Sequence, residues 1–373
     1  MSTIEAAAEN AHDAHGHDHD HPSFLAHHFD TPEQQFDSGK LGIWLFLVTE
    51  ILFFSGMFCA YAIFRMLRPD VFEGCSQFLN TKLGAINTGV LLFSSLTMAW
   101  AVRCSQTRQN KGLVAMLAST LSCAMIFLGV KAIEYSHKWE MGLLPAGLFT
   151  FDQNNPHPET DTHYLFYICL PFMFLLAGVV LWLIISLVRG NEFHVKCAKP
   201  LTVVAICFFV GIGLGMILES GDSSHSEEEG LEEEVMMAEA VELGNESVLQ
   251  KISRDDTNSG AKSELIARAR QSDTAGTSIV QEGQIISGAI VSVEEDVMTK
   301  RQAGVFFSIY YCMTGVHAIH ILFGIGFLVW LLVRAVREDF NPQYFGPVDY
   351  VGLYWHLVDL IWIYLFPLLY LIR

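Results

Sequence analysis

Read for polarity alone, the chain alternates long apolar runs with short polar breaks. Residues 41–64 contain one charged position, Glu50, and the break that follows (RMLRPD, 65–70) is only long enough to be a connection. Six more runs repeat the pattern, at 83–102, 113–131, 165–188, 201–218, 305–333 and 350–371. A bilayer core of roughly 30 Å takes about 20 helical residues, because every backbone donor must be satisfied without water. The pattern therefore predicts an all-α, polytopic membrane bundle of about seven transmembrane helices. The first run follows a polar, His-rich lead with no basic n-region and no small-residue cleavage site, so it reads as a true span and not a secretory signal.

Composition sharpens this picture. The 373 residues are 51% apolar and 17% charged, which argues against a soluble class. The net charge of −18 is concentrated in two places. Residues 1–40 carry one Lys against eight acids, and 219–303 carry seven basic residues against nineteen acids. The rest is close to neutral, which excludes a basic nucleic-acid footprint. Eight cysteines without a C-x-x-C pair, most inside apolar runs, indicate neither a disulfide framework nor a zinc ribbon.

Lys and Arg in the short loops divide nine against six in favour of an inside N-terminus, placing the C-terminus and the acidic segment outside. Within that segment EEEGLEEEVMMAEA suggests a short acidic helix. SIVQEGQIISGAIVS suggests a small hairpin or a stretch lying against a partner. The alternative is a largely solvated insertion. The lead packs seven of the fifteen histidines into seventeen residues, either a loose Zn or Cu collector or a low-complexity tail.

Ionisable residues inside the spans carry the chemistry, since each costs roughly 2.5–3.5 kcal/mol on insertion scales. Glu50 lies about 14 Å into its span at 1.5 Å per residue, near the midplane. It either ties two helices together or handles protons. His317 and His320, three apart, share a helix face and could ligate a metal or hydrogen-bond between helices. His356 and Asp359 have the same spacing, with the acid able to orient the imidazole. Glu134, one turn from Lys131, reads as half of an ion pair at the membrane edge. Trp44, Trp139, Trp182, Tyr350, Tyr354 and Trp355 fit interfacial anchoring.

Several blocks together resemble subunit III of the haem-copper cytochrome oxidases. FDSGKLGIWLFLVTEILFFSGMFCAY is similar to the family helix with a buried Glu, INTGVLLFSSLTMAWAV to the next, and FLGVKAIEYSHKW to the K-x-x-E-Y end of the third. TGVHAIHILFG and YWHLVDLIWIYLFPLLYL resemble the last two. The resemblance implies five family-type helices plus two inserted ones. It divides the chain into a polar tail (1–40), three helices (41–149), an inserted pair (150–218), an acidic extramembrane insertion (219–303) and two final helices (304–373). The two helices that precede the Glu-bearing one in the family's long form have no counterpart here, which puts that form's lipid cleft in doubt.

What the resemblance implies for function is a subunit without a redox centre of its own, haem and copper lying in partner subunits. Its partners would be oxidase subunits I and II, phospholipid, and cytochrome c by way of the complex, in a bacterial plasma membrane. It would stabilise the catalytic subunit and support its proton uptake. By position, Glu50 matches the family's buried carboxylate, His317 and His320 its His pair, and Arg334 falls near a basic residue able to meet a lipid phosphate. The alternatives are the same subunit of a quinol oxidase, the accessory subunit of a nitric oxide reductase, or a divalent-metal transporter.

Overall fold

The computed structural model describes residues 26, 28–151, 163–219 and 277–371, with the backbone alone over 277–301. Both the acidic-helix segment and nearly all of the His-rich lead lie outside the described residues.

Among the described residues, seven helices are long and apolar enough to cross a membrane. The first, α1 (Pro32–Leu67), opens where Thr31 accepts the Gln34 N–H on its side chain and Pro32 presets the first turn. It stops at Arg68, which the following Pro69 disfavours from helical geometry. A short helix α2 (Pro69–Ser76) leads to α3 (Thr81–Gln106), whose first turn is capped by the Asn80 carboxamide oxygen. Burial pushes the Cys75 thiol in α2 up to about 12, so it behaves as a packing group. Helix α4 (Asn110–Glu140) ends in a Schellman motif: Gly142, at φ 76°, donates to Trp139 O and Leu143 donates to Lys138 O.

The two spans of the inserted stretch are α5 (Tyr164–Val188) and α6 (Glu192–Glu219). They are followed by α7 (Thr277–Val336), whose membrane part is Gln302–Val336. Helix α8 (Gly346–Phe366) is followed by a π-helical turn, wider than an α turn, at Pro367–Leu371. Residues 278–292, for which a small hairpin was one of the expectations, are helical and continuous with α7. Their β-branched content is a weak preference, and extending an existing helix carries no nucleation cost.

Helix α4 lies at the centre. It packs along α3 and also meets α5 and α7, while α8 fills the space between α1, α3 and α7. The inserted α6 is set deep against α4: a side chain at Gly129 would strike Phe208 O, and one at Gly211 would strike Ile126 O. Glycine at both positions lets the two backbones touch, the usual route to tight association where lipid is as apolar as the side chains. Helices α1 and α5 stay outside, with Leu52 67% and Phe174 71% exposed.

Candidate functional site

Three groups of polar side chains lie within the spans. The first is where α1 meets α7. Glu50 Oε2 stands 3.0 Å from His320 Nε2, and His320 Nδ1 stands 2.8 Å from the carbonyl of Val316, one turn back on its own helix. A carbonyl oxygen only accepts, so Nδ1 carries a hydrogen. Nε2 then has two options: it accepts from a protonated Glu50, or it is protonated and donates to the carboxylate. Either arrangement leaves the pair without net charge, which lowers the cost of placing it within an apolar span.

The pair is not sealed. Both side chains are 18% exposed, in an apolar outer surface that includes Ile51, Leu52, Phe53, Ile319 and Phe323. The Phe54 ring stands edge-on to the imidazole at 5.1 Å, and Tyr354 ties α8 to this level through the His320 carbonyl.

His317 does not join its neighbour. It is fully buried, stacked on Trp362 at 5.3 Å and edge-on to Phe127 at 5.8 Å, with no hydrogen-bond partner among the described residues. The expectation that the two histidines act from one face is corrected. Three residues on a helix leave about 60° between side chains, and at this crossing that sends one towards α1 and the other towards α4 and α8.

The second group surrounds Glu134: the expected ion pair with Lys131 is present at 2.7 Å, but it is buried in the bundle and not interfacial. Glu134 is 3% exposed and lies between helices. Its Oε1 receives Lys138 at 2.6 Å, Tyr310 at 2.7 Å and Tyr370 at 2.5 Å, while its Oε2 receives Lys131 at 2.7 Å. The face of α4 bearing Lys131, Glu134 and Lys138 turns towards α7 and α8, which supply the tyrosines. Lys131 also donates to Tyr370 and lies 4.5 Å from the Trp362 ring centroid. Four donors aimed at one carboxyl define a site built around the ionised acid.

The third group follows α8. His356 Nδ1 meets the Ser95 hydroxyl of α3 at 2.6 Å. Asp359 is not bonded directly to the imidazole; its carboxyl is buried beside the same Ser95 hydroxyl. Arg334, expected at lipid, is committed to the chain's own α7–α8 loop. Its Nε bonds Asp339 at 2.9 Å, its Nη1 bonds Tyr344 at 3.3 Å, and the guanidinium lies over the rings of Trp330, Phe340 and Tyr344.

Sequence reasoning missed Tyr310, Tyr370, Ser95 and Trp362. Tyr370 carried a usable signal, a hydroxyl at the same end of its span as the K-x-x-E-Y block. Among the described residues no three His, Cys, Asp or Glu side chains converge as metal ligands would.

The sequence model of the family described as Cytochrome c oxidase subunit III matches residues 22–140 and 243–372. The break in that match, 141–242, contains both α5 and α6. Among curated relatives, a probable quinol oxidase subunit 3 of Staphylococcus haemolyticus is 32% identical over 71 residues, 19% of this chain and 35% of that protein. A probable cytochrome c oxidase subunit 3 of Nocardia farcinica is 35% identical over 75 residues, 20% of this chain and 37% of the relative. Cytochrome c oxidase subunit 3 of Thermostichus vulcanus is 39% identical over 72 residues, 19% of this chain and 36% of the relative. The chain thus spans about a third of the length of the curated relatives it matches.

Proposed function

Because the chain belongs to the cytochrome c oxidase subunit III family, a membership resting on a match over about two thirds of its length, we propose that it works as the non-redox third subunit of a respiratory haem-copper oxidase. In this role it holds the catalytic subunit in its working form and sustains proton uptake while electrons pass from cytochrome c to oxygen. Membership of an oxidoreductase complex and a multi-pass membrane location follow from the family and the seven spans.

The observation that carries the finer reading is the Glu50–His320 pair. A carboxyl and an imidazole sharing one proton, half a bilayer deep and open at an apolar outer surface, is expensive to maintain for packing alone. It suits a face that docks against another membrane subunit, where a partner group completes the site. Haem and copper are assigned to partner subunits, because both nitrogens of His320 are engaged within the chain and His317 is walled in by rings.

The burial of Lys131 and Lys138 in the bundle removes them from the outer-loop count, leaving nine basic residues inside against four outside. That margin supports an N-terminus on the cytoplasmic side of a bacterial plasma membrane, with the C-terminus and the acidic segment in the periplasm. There the net negative charge of 219–303 would steer a basic soluble electron donor. A quinol oxidase is the second reading, favoured by the name of the Staphylococcus haemolyticus relative.

Affinity capture of the full chain from its native membrane, with an optical spectrum of what accompanies it, tests the proposal. Haem-bearing subunits in stoichiometric amount are expected, and oxidation of added cytochrome c or quinol by the captured complex names the donor. Capture of the intact chain without haem would overturn the assignment.

A further inference from the structure

Where α3 meets α8, the apolar outer surface of the bundle carries a polar atom. His356 stands midway along α8, about 15 Å from its start at 1.5 Å per residue. A hydrocarbon core is roughly 30 Å thick, so the ring lies near its middle. The half-buried imidazole gives its Nδ1 to the Ser95 hydroxyl at 2.6 Å. Its Nε2 has no hydrogen-bond partner among the described residues, yet it is not one of the buried side-chain atoms left without one. Nε2 is therefore open at the surface. That surface is otherwise apolar: Leu360 and Tyr364, both exposed, continue the His356 face of α8 one and two turns on, and the exposed Leu92 and Leu96 flank Ser95 on α3.

The hydrogens behind the ring decide what Nε2 offers. The Asp359 carboxyl is buried beside the same Ser95 hydroxyl and forms no ion pair among the described residues. An ionised carboxylate without a counter-charge is the costliest arrangement in an apolar span. As the neutral acid, Asp359 donates to Ser95 Oγ, the Ser95 hydroxyl donates to His356 Nδ1, and the imidazole hydrogen sits on Nε2. Every polar hydrogen of the three side chains then has an acceptor except this one. Acyl chains offer none at this depth, since the oxygens of a lipid lie towards the two edges of the bilayer, and water is absent from the core.

We propose that the α3–α8 surface around His356 is a docking face for a membrane helix of another subunit, and that this helix presents a hydrogen-bond acceptor side chain to the His356 Nε2–H at mid-span. The chemistry selects the occupant. An acyl chain covers Leu360, Tyr364, Leu92 and Leu96 but leaves the hydrogen unsatisfied, whereas a helix covers the same residues and brings an Asn, Gln, Ser or Thr oxygen among them. The face belongs to other helices than the α1–α7 junction that holds Glu50 and His320. It rests on the proposed function only in requiring that the chain work within a membrane complex.

A photo-activatable cross-linking residue in place of Leu360, one turn from His356, tests the proposal in the intact complex. We expect it to join a membrane span of another subunit, with an acceptor side chain within one turn of the joined residue when the peptide is sequenced by mass spectrometry. His356→Phe keeps a ring without nitrogens and should lower the yield about fivefold, as expected for one lost hydrogen bond, while His356→Gln, whose amide donates, should keep most of it. Nitrogen NMR of the complex with isotope-labelled histidine should place the hydrogen on Nε2, the His356 signals being those that His356→Gln removes. The native cross-link and these spectra carry the test should His356→Phe fail to assemble. Adducts with lipid alone, a joined span without an acceptor, equal yields in the native protein and His356→Phe, or a hydrogen on Nδ1 would each overturn the proposal. The haem spectrum of the same complex reads the oxidase assignment separately, so either can fail alone.

Discussion

Two glutamates in the same bundle illustrate opposite uses of a buried carboxyl. Glu134 receives four donors from Lys131, Lys138, Tyr310 and Tyr370 and is 3% exposed. Glu50 has one hydrogen-bond partner among the described residues, His320, and its side chain is 18% exposed in an apolar outer surface. The first is saturated: it has no capacity left for a proton or a visitor, and three helices depend on it. The second rests on a single hydrogen bond and stays partly open at the surface. Partner count and exposure, more than residue type, separate the lock from the proposed working site.

The largest effect should come from breaking the lock. Glu134→Leu leaves two ammonium groups buried without their counter-charge, a loss of about 3–5 kcal/mol for a broken buried ion network. The amount of chain retained in membranes and its thermal unfolding in mild detergent measure this, and we expect little or no folded protein. A well-folded Glu134→Leu variant would erase the distinction between the two glutamates.

The backbone contact of α6 on α4 is next. Gly129→Val forces a branched side chain into Phe208 O and should cost about 1–3 kcal/mol as the helices part. A cysteine cross-link placed between α4 and α6 reads the separation, and undiminished cross-linking would refute the close approach.

At the Glu50–His320 pair smaller changes are expected. Glu50→Ala should lower by about 1–3 kcal/mol the stability with which the chain stays in its complex, since His320 Nε2 is then orphaned. Glu50→Gln, whose amide still donates to that nitrogen, should leave it in place. The detergent concentration that releases the chain distinguishes the two, and equal release would mean that the hydrogen bond contributes nothing.

The acidic segment should matter least. Removal of 222–276 should slow reaction with a basic cytochrome c at low ionic strength and have little effect at high salt, where the Debye length shrinks to a few ångströms. A salt dependence unchanged by the deletion would make the segment a spacer.

The spans were legible in the sequence because hydrophobic length is a property of single segments, and the bilayer fixes the length required. Each of the seven expected runs lies within, or nearly within, a helix of the structure, apart from end effects such as the extra turns of α1 before residue 41. Glu50 was conspicuous for the same local reason, a charge alone in an apolar run. Which histidine it meets was not legible, because His317 and His320 differ only by a rotation that the packing of α1 against α7 decides. Tyr310 and Tyr370 looked like ordinary aromatics, since the carboxylate that uses their hydroxyls lies 176 and 236 residues away in sequence. Asp359 was misread because three-residue spacing permits contact with His356 without requiring it, and Ser95 of another helix competes successfully for the imidazole.

The most direct test of the account is the persistence of turnover in the purified complex carrying Glu50→Gln. We expect a full complement of this subunit and a native initial rate of oxygen reduction, followed by a faster decline of activity and proton uptake over successive turnovers than in the native complex. A Glu50→Gln complex that keeps the subunit and sustains turnover and proton uptake as long as the native one would contradict it, and would make the Glu50–His320 pair a second, weaker lock.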